Sequence, residues 1–352
     1  MIALFNINSK LLYLGFQLTN FFNFDVSEYT FPISPSLGFL KLIIIFFFLF
    51  FPFLKYNIAE NNQILLNEIL PGILLYYGEN EEPNEINKGA IANKIAIIGN
   101  KSILVYDAGP SKEFAERFIK ELRKYSKKPI KYLVISHRHF DHAYGIEVYI
   151  KKKVTIFIDK TEYSYLKKEG PLINNLLIKN LGFNEDNINF DNISEEKISF
   201  LADSIEVNLG NRRVLIKNLG IAHTKGDLIA YDFNTNTYIT GDVIFIGRAA
   251  AFSDANIPMW INVIKNKLDL LWDYLIPGHG RIIKNKLELN DTKNWLYFLD
   301  NAARKAVAEG DMMSEIFQYP IPKEIDHLKM KSITLRQDIK KQLNLYRKKY
   351  IE

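Results

Sequence analysis

Three of the six histidines in this chain lie in one short segment, HRHFDH at residues 137–142. The apolar run KYLVIS precedes it and predicts a strand. At the end of a strand the side chains at i and i+2 point the same way, so His137 and His139 can bind one metal ion. If a helix follows, it brings Asp141 and His142 to an adjacent position, and two ions can share the loop.

A hydrogen-bonded cluster without a cation is the alternative for this segment. It would leave several buried imidazole and carboxylate groups to be satisfied, so metal ligation is favoured. The chain has no cysteine, which excludes disulfides, thiolate nucleophiles, iron–sulfur clusters and thiolate ligands. Any metal must therefore bind to histidine and carboxylate side chains.

Three further segments place polar side chains directly after apolar, strand-like runs. They are AHTKGD with His223, TGD with Asp242, and PGHG with His279. Five of the six histidines thus follow such runs, at predicted loops. In a layered fold these loops open on one sheet edge, so we expect their side chains to meet the HRHFDH segment.

The elements that must position these side chains alternate between short apolar runs and helical patterns, which predicts α/β layers. The predicted strands are residues 94–98, 103–106, 131–136, 154–158, 205–209, 214–218, 228–233 and 238–240. A helix capped by Ser111 should bury one face that contains Phe114, Phe118, Leu122 and Tyr125. Further predicted helices cover residues 258–272, 291–309 and about 325–347.

The N-terminal region has a different composition. Residues 42–54 read LIIIFFFLFFPFL, which is about 20 Å of helix. Extended back to Leu37, this segment can cross a membrane if Lys41 extends its ammonium group to the interface, so a membrane anchor and a secretory signal are both open. We expect a periplasmic protein, or one anchored in the membrane and facing the periplasm.

The charge balance does not indicate nucleic acid as a partner. There are 45 Lys and Arg against 40 Asp and Glu, a net charge of +5, without a dense basic block interleaved with aromatic residues. A small-molecule substrate is the remaining expectation.

In order and spacing, the motifs at residues 68–285 resemble those of the metallo-β-lactamase superfamily. Asp107 stands in the first motif, HRHFDH in the second, and His223, Asp242 and His279 in the third to fifth. The resemblance implies an α/β fold, a four-layer αββα sandwich, with C-terminal helices. It divides the chain into an N-terminal extension (1–60), a metallo-β-lactamase-like domain (61–289) and a C-terminal helical extension (290–352).

The resemblance also implies a role for each ligand. His137, His139 and His223 would hold one divalent ion, Asp141, His142 and His279 a second, and Asp242 would bridge both. Asp107 would orient the ligand loop. A donor set rich in imidazole suits zinc best, with iron or manganese as alternatives.

The implied activity is hydrolysis by a hydroxide that bridges the two ions, with Asp141 or Asp242 accepting the proton. The β-lactam-hydrolysing classes have Cys or Ser where this chain has Asp242. The carboxylate therefore favours an ester, thioester or lactone substrate and leaves β-lactam hydrolysis as an alternative. His139 stands where the diiron oxygen reductases usually have Glu, which disfavours redox chemistry.

A narrower resemblance links the chain to exported zinc metallohydrolases of quinoprotein relay systems and sulfur oxidation. It rests on features that are less specific than the metal motifs, such as Gly247-Arg248 and Trp260. It leaves open a non-catalytic, metal-binding partner of a quinoprotein dehydrogenase. The residues that flank the motifs and could line a pocket are Asn93, Tyr144, Lys225 and Arg248, of which Lys225 and Arg248 could pair with an acidic substrate group. Trp260 is expected in the core and His327 at the surface.

Overall fold

The computed structural model describes residues 64–268 and 271–350. The apolar segment at 42–54 and the rest of the predicted N-terminal extension lie outside these residues. Within the described part, none of the helices combines the length and the apolar character that crossing a membrane requires.

A seven-stranded sheet forms one half of the molecule, with its strands in sequence order. They are β1 (Asn67–Leu70), β2 (Ile73–Tyr76), β3 (Lys94–Ile98), β4 (Ile103–Tyr106), β5 (Ile130–Val134), β6 (Thr155–Ile158) and β7 (Ile198–Phe200). The first four strands pair antiparallel, and β4 to β7 pair parallel. The parallel part needs crossover connections, and the one between β5 and β6 contains the HRHFDH segment.

The second sheet has five strands in the order β12-β11-β10-β9-β8. They are β8 (Ser204–Asn208), β9 (Arg213–Asn218), β10 (Leu228–Asp232), β11 (Thr237–Ile239) and β12 (Tyr274–Ile276). Strands β8 to β11 pair antiparallel and β11 pairs parallel with β12.

Helices cover the outer face of each sheet. Those on the first sheet are α1 (Lys112–Tyr125), α2 (Phe140–Ala143), α3 (Ile146–Lys151) and α4 (Lys160–Leu181). The helices that follow β11 are α5 (Ile257–Lys267), α6 (Asn290–Glu309), α7 (Met313–Ile316) and α8 (Lys331–Tyr350).

Three apolar clusters hold the layers together. Between the sheets, Leu104 and Val134 pack with Ile216. Outside the first sheet, α1 contributes Phe118 to a second cluster, and outside the second sheet α5 contributes Trp260 to a third. The order helix, sheet, sheet, helix confirms the predicted four-layer α/β sandwich.

The C-terminal helices pack on this sandwich. Trp295 and Leu299 of α6, with Ile339 of α8, belong to the same cluster as Trp260. Helix α6 begins at Asn290, next to the predicted boundary at 289/290, and the division of the chain at that residue stays a prediction.

Several elements differ from the sequence-based expectations. Strands β1, β2 and β7 and the short helices α3 and α7 are not among the predicted elements, and α5 ends at Lys267 rather than at residue 272. Tyr125 of α1, expected on the buried face, is exposed.

Helix α4 was not predicted. It continues through Gly170-Pro171, a pair that is typical of a helix break, and Gly170 is needed there because a Cβ would lie 2.2 Å from the Phe190 ring. The last helix begins at Lys331 rather than near residue 325, because Met330 has a left-handed backbone with φ of 65°.

Candidate metal centre

The seven predicted ligands come together in the structure, and we call them the ligand cluster. His137 and His139 lie in the loop after β5, and Asp141 and His142 lie in α2. The other three each follow a strand of the second sheet: His223 after β9, Asp242 in the turn after β11, and His279 after β12. All except His139 are buried.

One half of the ligand cluster contains three imidazoles. His139 Nδ1 lies 3.0 Å from His137 Nε2 and 3.1 Å from His223 Nε2. Asp242 Oδ2 lies 3.8 Å from His137 Nε2 and 3.5 Å from His223 Nε2. These four side chains offer ligand atoms that all lie within 4.8 Å of one another.

The other half contains two imidazoles and a carboxylate. Asp141 Oδ2 lies 3.4 Å from both His142 Nε2 and His279 Nε2. Asp242 Oδ1 lies 3.1 Å from His142 Nε2 and 3.4 Å from His279 Nε2. Asp242 therefore presents one carboxylate oxygen to each half.

In four of the imidazoles, the ring nitrogen that faces away from the ligand cluster forms a hydrogen bond, and this bond determines which nitrogen carries the proton. His142 Nδ1 donates to Asp107 Oδ2 at 2.7 Å. His223 Nδ1 donates to the carbonyl of Ala251, and His279 Nδ1 to that of Ile91. His139 Nε2 donates to Asp254 Oδ2 at 3.0 Å. Because these outer partners accept, a neutral ring carries its lone pair on the inward nitrogen.

His137 also donates from its outer nitrogen, in this case to the Ser136 hydroxyl. The Ser136 hydroxyl donates to Asp107 Oδ2, so its oxygen is free to accept from His137 Nδ1 at 3.0 Å. In the neutral rings all five inward nitrogens are thus acceptors, and Asp141 and Asp242 lie among them.

These residues fit a metal ion. His142 Nε2 and Asp242 Oδ1 are buried and have no hydrogen-bond partner. Buried acceptors without a donor are costly, and imidazole nitrogens with carboxylate oxygens are the donors that zinc and related divalent ions bind.

The pKa shifts agree with a site that attracts positive charge. Burial lowers the pKa of His223 to about 3, so this ring is neutral. Burial also acts to lower the pKa of His142, yet Asp242, Asp141 and Asp107 together raise it well above its ordinary value. A positive charge is therefore favoured at His142 Nε2.

Asp107 orients His142, as the sequence predicts. It also accepts from the Ser136 backbone, and its own backbone is left-handed, with φ of 66°. The Ala108 backbone N–H donates to the His142 carbonyl at 2.7 Å. This turn holds α2 against the end of β4.

Asp254 was missed by the sequence analysis. Besides His139, it accepts from Arg138 Nη2 at 2.7 Å and contacts Lys341. Burial acts to raise the pKa of Asp254, but the hydrogen bond from His139 and the charge of Arg138 hold it well below its ordinary range. No motif marks this residue, because its partners are distant in sequence.

Glu162 was also missed, because α4 was not predicted. It is fully buried and accepts from the Arg138 backbone at 3.1 Å and from its guanidinium at 3.0 Å. It also accepts from the Lys225 backbone at 3.0 Å. Glu162 therefore ties the HRHFDH loop to the loop that carries His223.

Gly278 allows the close approach of two ligand loops. A Cβ at this position would lie 2.0 Å from Asp242 Oδ1. Its backbone N–H donates to the Gly241 carbonyl at 2.7 Å. Only glycine can hold His279 and Asp242 at this separation.

A cavity of about 240 Å³ opens beside the ligand cluster. Tyr144 and Arg248 line it, as the sequence suggested. Lys225 is exposed, and Asn93 instead donates to the carbonyls of Pro277 and Gly280, next to His279. The two remaining residues match expectation: Trp260 is fully buried, and the exposed His327 contacts Asp291.

The sequence model of the Metallo-beta-lactamase superfamily matches residues 90–280, which contain the whole ligand cluster. The chain belongs to this superfamily. Membership in the metallo-beta-lactamase superfamily supports the predicted metal-dependent hydrolase. The narrower quinoprotein-relay resemblance is not tested by this match and stays a prediction.

Solved structures share the fold. The metallo-beta-lactamase from Pontibacter korlensis has a TM-score of 0.53 and 15% identity, covering 67% of this chain and 99% of its own. The DIM-1 metallo-beta-lactamase has a TM-score of 0.51 and 16% identity, covering 67% of this chain and 97% of its own. At these identities the likeness shows the fold alone.

A curated relative matches a shorter stretch. The linear primary-alkylsulfatase of Pseudomonas sp. (strain ATCC 19151) is 27% identical over 89 residues, which are 24% of this chain. The matched stretch spans 17% of that relative's length.

Proposed function

We propose that this protein is a hydrolase with two divalent metal ions, zinc being best suited, that cleaves an ester, thioester or lactone in a small molecule. One observation carries the proposal: Asp242 presents one oxygen to each half of a cluster whose five imidazoles turn acceptor nitrogens inward. When bound, such ions polarise a carbonyl and make hydroxide available near neutral pH.

The two halves of the ligand cluster would hold one ion each. His137, His139 and His223 would bind the first, Asp141, His142 and His279 the second, and Asp242 both. The outer hydrogen bonds that His142 and His139 donate to Asp107 and Asp254 keep these rings in this orientation.

Proton transfer is best assigned to Asp141. Both Asp141 and Asp242 line the cavity. Both oxygens of Asp242 face imidazole nitrogens, whereas the close contacts of Asp141 with His142 and His279 involve Oδ2. Oδ1 of Asp141 is therefore the better placed atom to accept a proton from the attacking water.

The cavity walls fit a small substrate with an apolar part. Phe140, Tyr144, Leu166 and Ile173 line the same cavity as Asp141. Their side chains exclude water from one side of the reacting group and leave the ligand cluster on the other. Export to the periplasm and a quinoprotein partner are not supported by these residues and stay predictions.

Hydrolysis assays on the zinc-loaded protein test the proposal. The panel contains a thioester, a lactone, a chromogenic β-lactam and a linear primary alkyl sulfate, because the similar proteins are named for the last two substrates. We expect turnover of the thioester or lactone that a chelator abolishes and zinc restores. Fastest turnover of the β-lactam would assign the alternative activity, and no turnover by protein with two bound ions would favour the accessory binding role.

A further inference from the structure

The loop before α5 lies between the ligand cluster and the C-terminal helices. We call its residues 250–255, AAFSDA, the bridging segment. Ala250, Phe252 and Ala255 in this segment are buried, with at most 2% of their surface exposed. The superfamily model includes the bridging segment and ends at residue 280, so α6 and α8 lie outside the part of the chain that it matches.

Two residues of the bridging segment form hydrogen bonds with histidines of the ligand cluster. The Ala251 carbonyl accepts from His223 Nδ1 at 3.1 Å, and Asp254 Oδ2 accepts from His139 Nε2 at 3.0 Å. Both histidines belong to the half of the ligand cluster that would hold the first ion. The position of the bridging segment therefore sets the direction in which these two rings present their inward nitrogens.

The histidines of the other half have their outer partners elsewhere in the chain. His142 Nδ1 donates to Asp107, which follows β4, and His279 Nδ1 donates to the carbonyl of Ile91, which precedes β3. A displacement of the bridging segment would therefore disturb the first half of the ligand cluster and leave these hydrogen bonds of the second half in place.

Helix α8 holds the backbone of the bridging segment through two buried side chains. Asp338 Oδ2 accepts from the Phe252 N–H at 2.8 Å. Gln342 Nε2 donates to the Phe252 carbonyl at 2.8 Å and to the Ala255 carbonyl at 3.0 Å. Asp338 and Gln342 are one helical turn apart, with 8% and 1% of their surface exposed. Losing either side chain would leave buried backbone groups without a partner.

The hydrogen bond of Asp338 acts directly on the group that orients His223. The Phe252 N–H and the Ala251 carbonyl belong to the same planar peptide group, so fixing one fixes the other. Asp338 accepts on one side of this peptide group and His223 donates on its other side. Hydrogen bonds in such a chain polarise and strengthen one another.

Two further contacts reach the bridging segment from the C-terminal helices. Nε1 of Trp295 in α6 donates to the Ala250 carbonyl at 3.0 Å, and Lys341 of α8 forms an ion pair with Asp254. Thr334 of α8 also lines the cavity beside the ligand cluster. The C-terminal helices therefore support the bridging segment along its length and form part of the cavity wall.

We propose that Asp338 and Gln342 are positioning residues for the first metal ion, and that α8 is needed for tight binding of this ion. This inference rests on the proposed function and adds to it a role for a helix outside the matched family model. Each side chain acts through the bridging segment on His139 and His223. Loss of such outer support lowers the affinity of a metal site by about tenfold to a hundredfold.

Stepwise zinc binding tests this inference without any turnover. A chelator of known affinity competes for zinc with the full-length protein, and NMR signals of the ligand imidazoles show which half of the ligand cluster fills at each step. We expect D338L and Q342M to weaken binding to the first half about tenfold or more and to change the second half much less. D338N keeps an acceptor oxygen for the Phe252 N–H and should partly recover the affinity.

The control is N344M, which makes the same replacement of an amide as Q342M at an exposed position of α8. It should bind both ions like the wild type. Urea unfolding shows that each variant is folded under the conditions of the titration. Unchanged affinity of the first half in folded D338L or Q342M would overturn the inference. Equal weakening of both halves would also overturn it, because α8 would then not act on the first ion selectively.

The tautomer of His223 gives a measurement that needs no bound metal. Its Nδ1–H form is held by the Ala251 carbonyl, so NMR should show this form less populated in D338L and Q342M than in the wild type. His279, whose Nδ1 donates to Ile91, is the internal reference and should not change. If the wild type binds no zinc while the His223 tautomer still shifts in the variants, only the proposed hydrolase is contradicted. An unshifted tautomer in the variants would contradict the positioning role itself.

Discussion

Replacing Asp242 with asparagine should lower the bound metal from two ions to one or none and reduce hydrolysis at least a hundredfold, which is about the cost of removing one strong electrostatic group from an active site. Asp242 presents Oδ2 to His137 and His223, and Oδ1 to His142 and His279. An amide keeps the shape of the side chain but loses the charge and one acceptor oxygen. Both halves of the ligand cluster are therefore weakened at once.

Metal analysis of purified protein, combined with the hydrolysis assay, measures this effect. The matched control is D273N, which makes the same chemical change at an exposed aspartate next to β12. It should keep both ions and full activity. Two tightly bound ions in D242N would show that Asp242 does not bridge them.

Replacing Glu162 with glutamine should lower the free energy of unfolding by about 3 kcal/mol, the lower end of the range for breaking a buried ion pair. Glu162 accepts from the Arg138 guanidinium and from the Lys225 backbone. The amide removes the negative charge from the Arg138 pair and can turn a donor toward the Lys225 N–H. We expect the loops with His139 and His223 to separate more readily.

Urea unfolding in saturating zinc gives the measurement, read as a shift of the midpoint at constant slope. The structure offers a matched control in E169Q, because Glu169 is 3.7 Å from the same Arg138 but its side chain is 41% exposed. That variant should change stability by less than about 1 kcal/mol. Equal shifts in E162Q and E169Q would show that the link between the loops contributes little.

The ligands could be predicted from the sequence because their signal is local. Four of them lie within HRHFDH, and each of the others directly follows a short apolar strand. Strand ends in a layered fold meet at one edge, so the order of motifs was enough to bring them together. Most of the strands were predictable from apolar runs, with ends that differ by one or two residues, whereas β1, β2 and β7 were not predicted.

The groups that hold the ligands could not be predicted in this way. Asp254 reaches His139 across 115 positions of sequence, and Glu162 reaches Lys225 across 63. Both contacts depend on how α4 and the loop before α5 pack on the ligand loops. No local pattern encodes such a contact, and α4, which carries Glu162, was itself not predicted.

The burial of Arg248 in the cavity wall could not be predicted from the sequence either. The sequence placed this residue with Asn93, Tyr144 and Lys225 as residues near the motifs, and gave Lys225 and Arg248 the same expected role of pairing with an acidic substrate group. Burial and hydrogen bonding distinguish these residues in the structure, since Lys225 is exposed and Asn93 forms a hydrogen bond with the loop that carries His279. Only the packed structure shows a buried guanidinium facing the cavity.

Anomalous diffraction at the zinc edge, from crystals of the zinc-loaded protein, is the most direct test of the metal centre. We predict two strong peaks, one bound by His137, His139 and His223, the other by Asp141, His142 and His279, with Asp242 in contact with both. A single peak, or peaks bound by other side chains, would contradict the dinuclear site on which the proposed hydrolase depends.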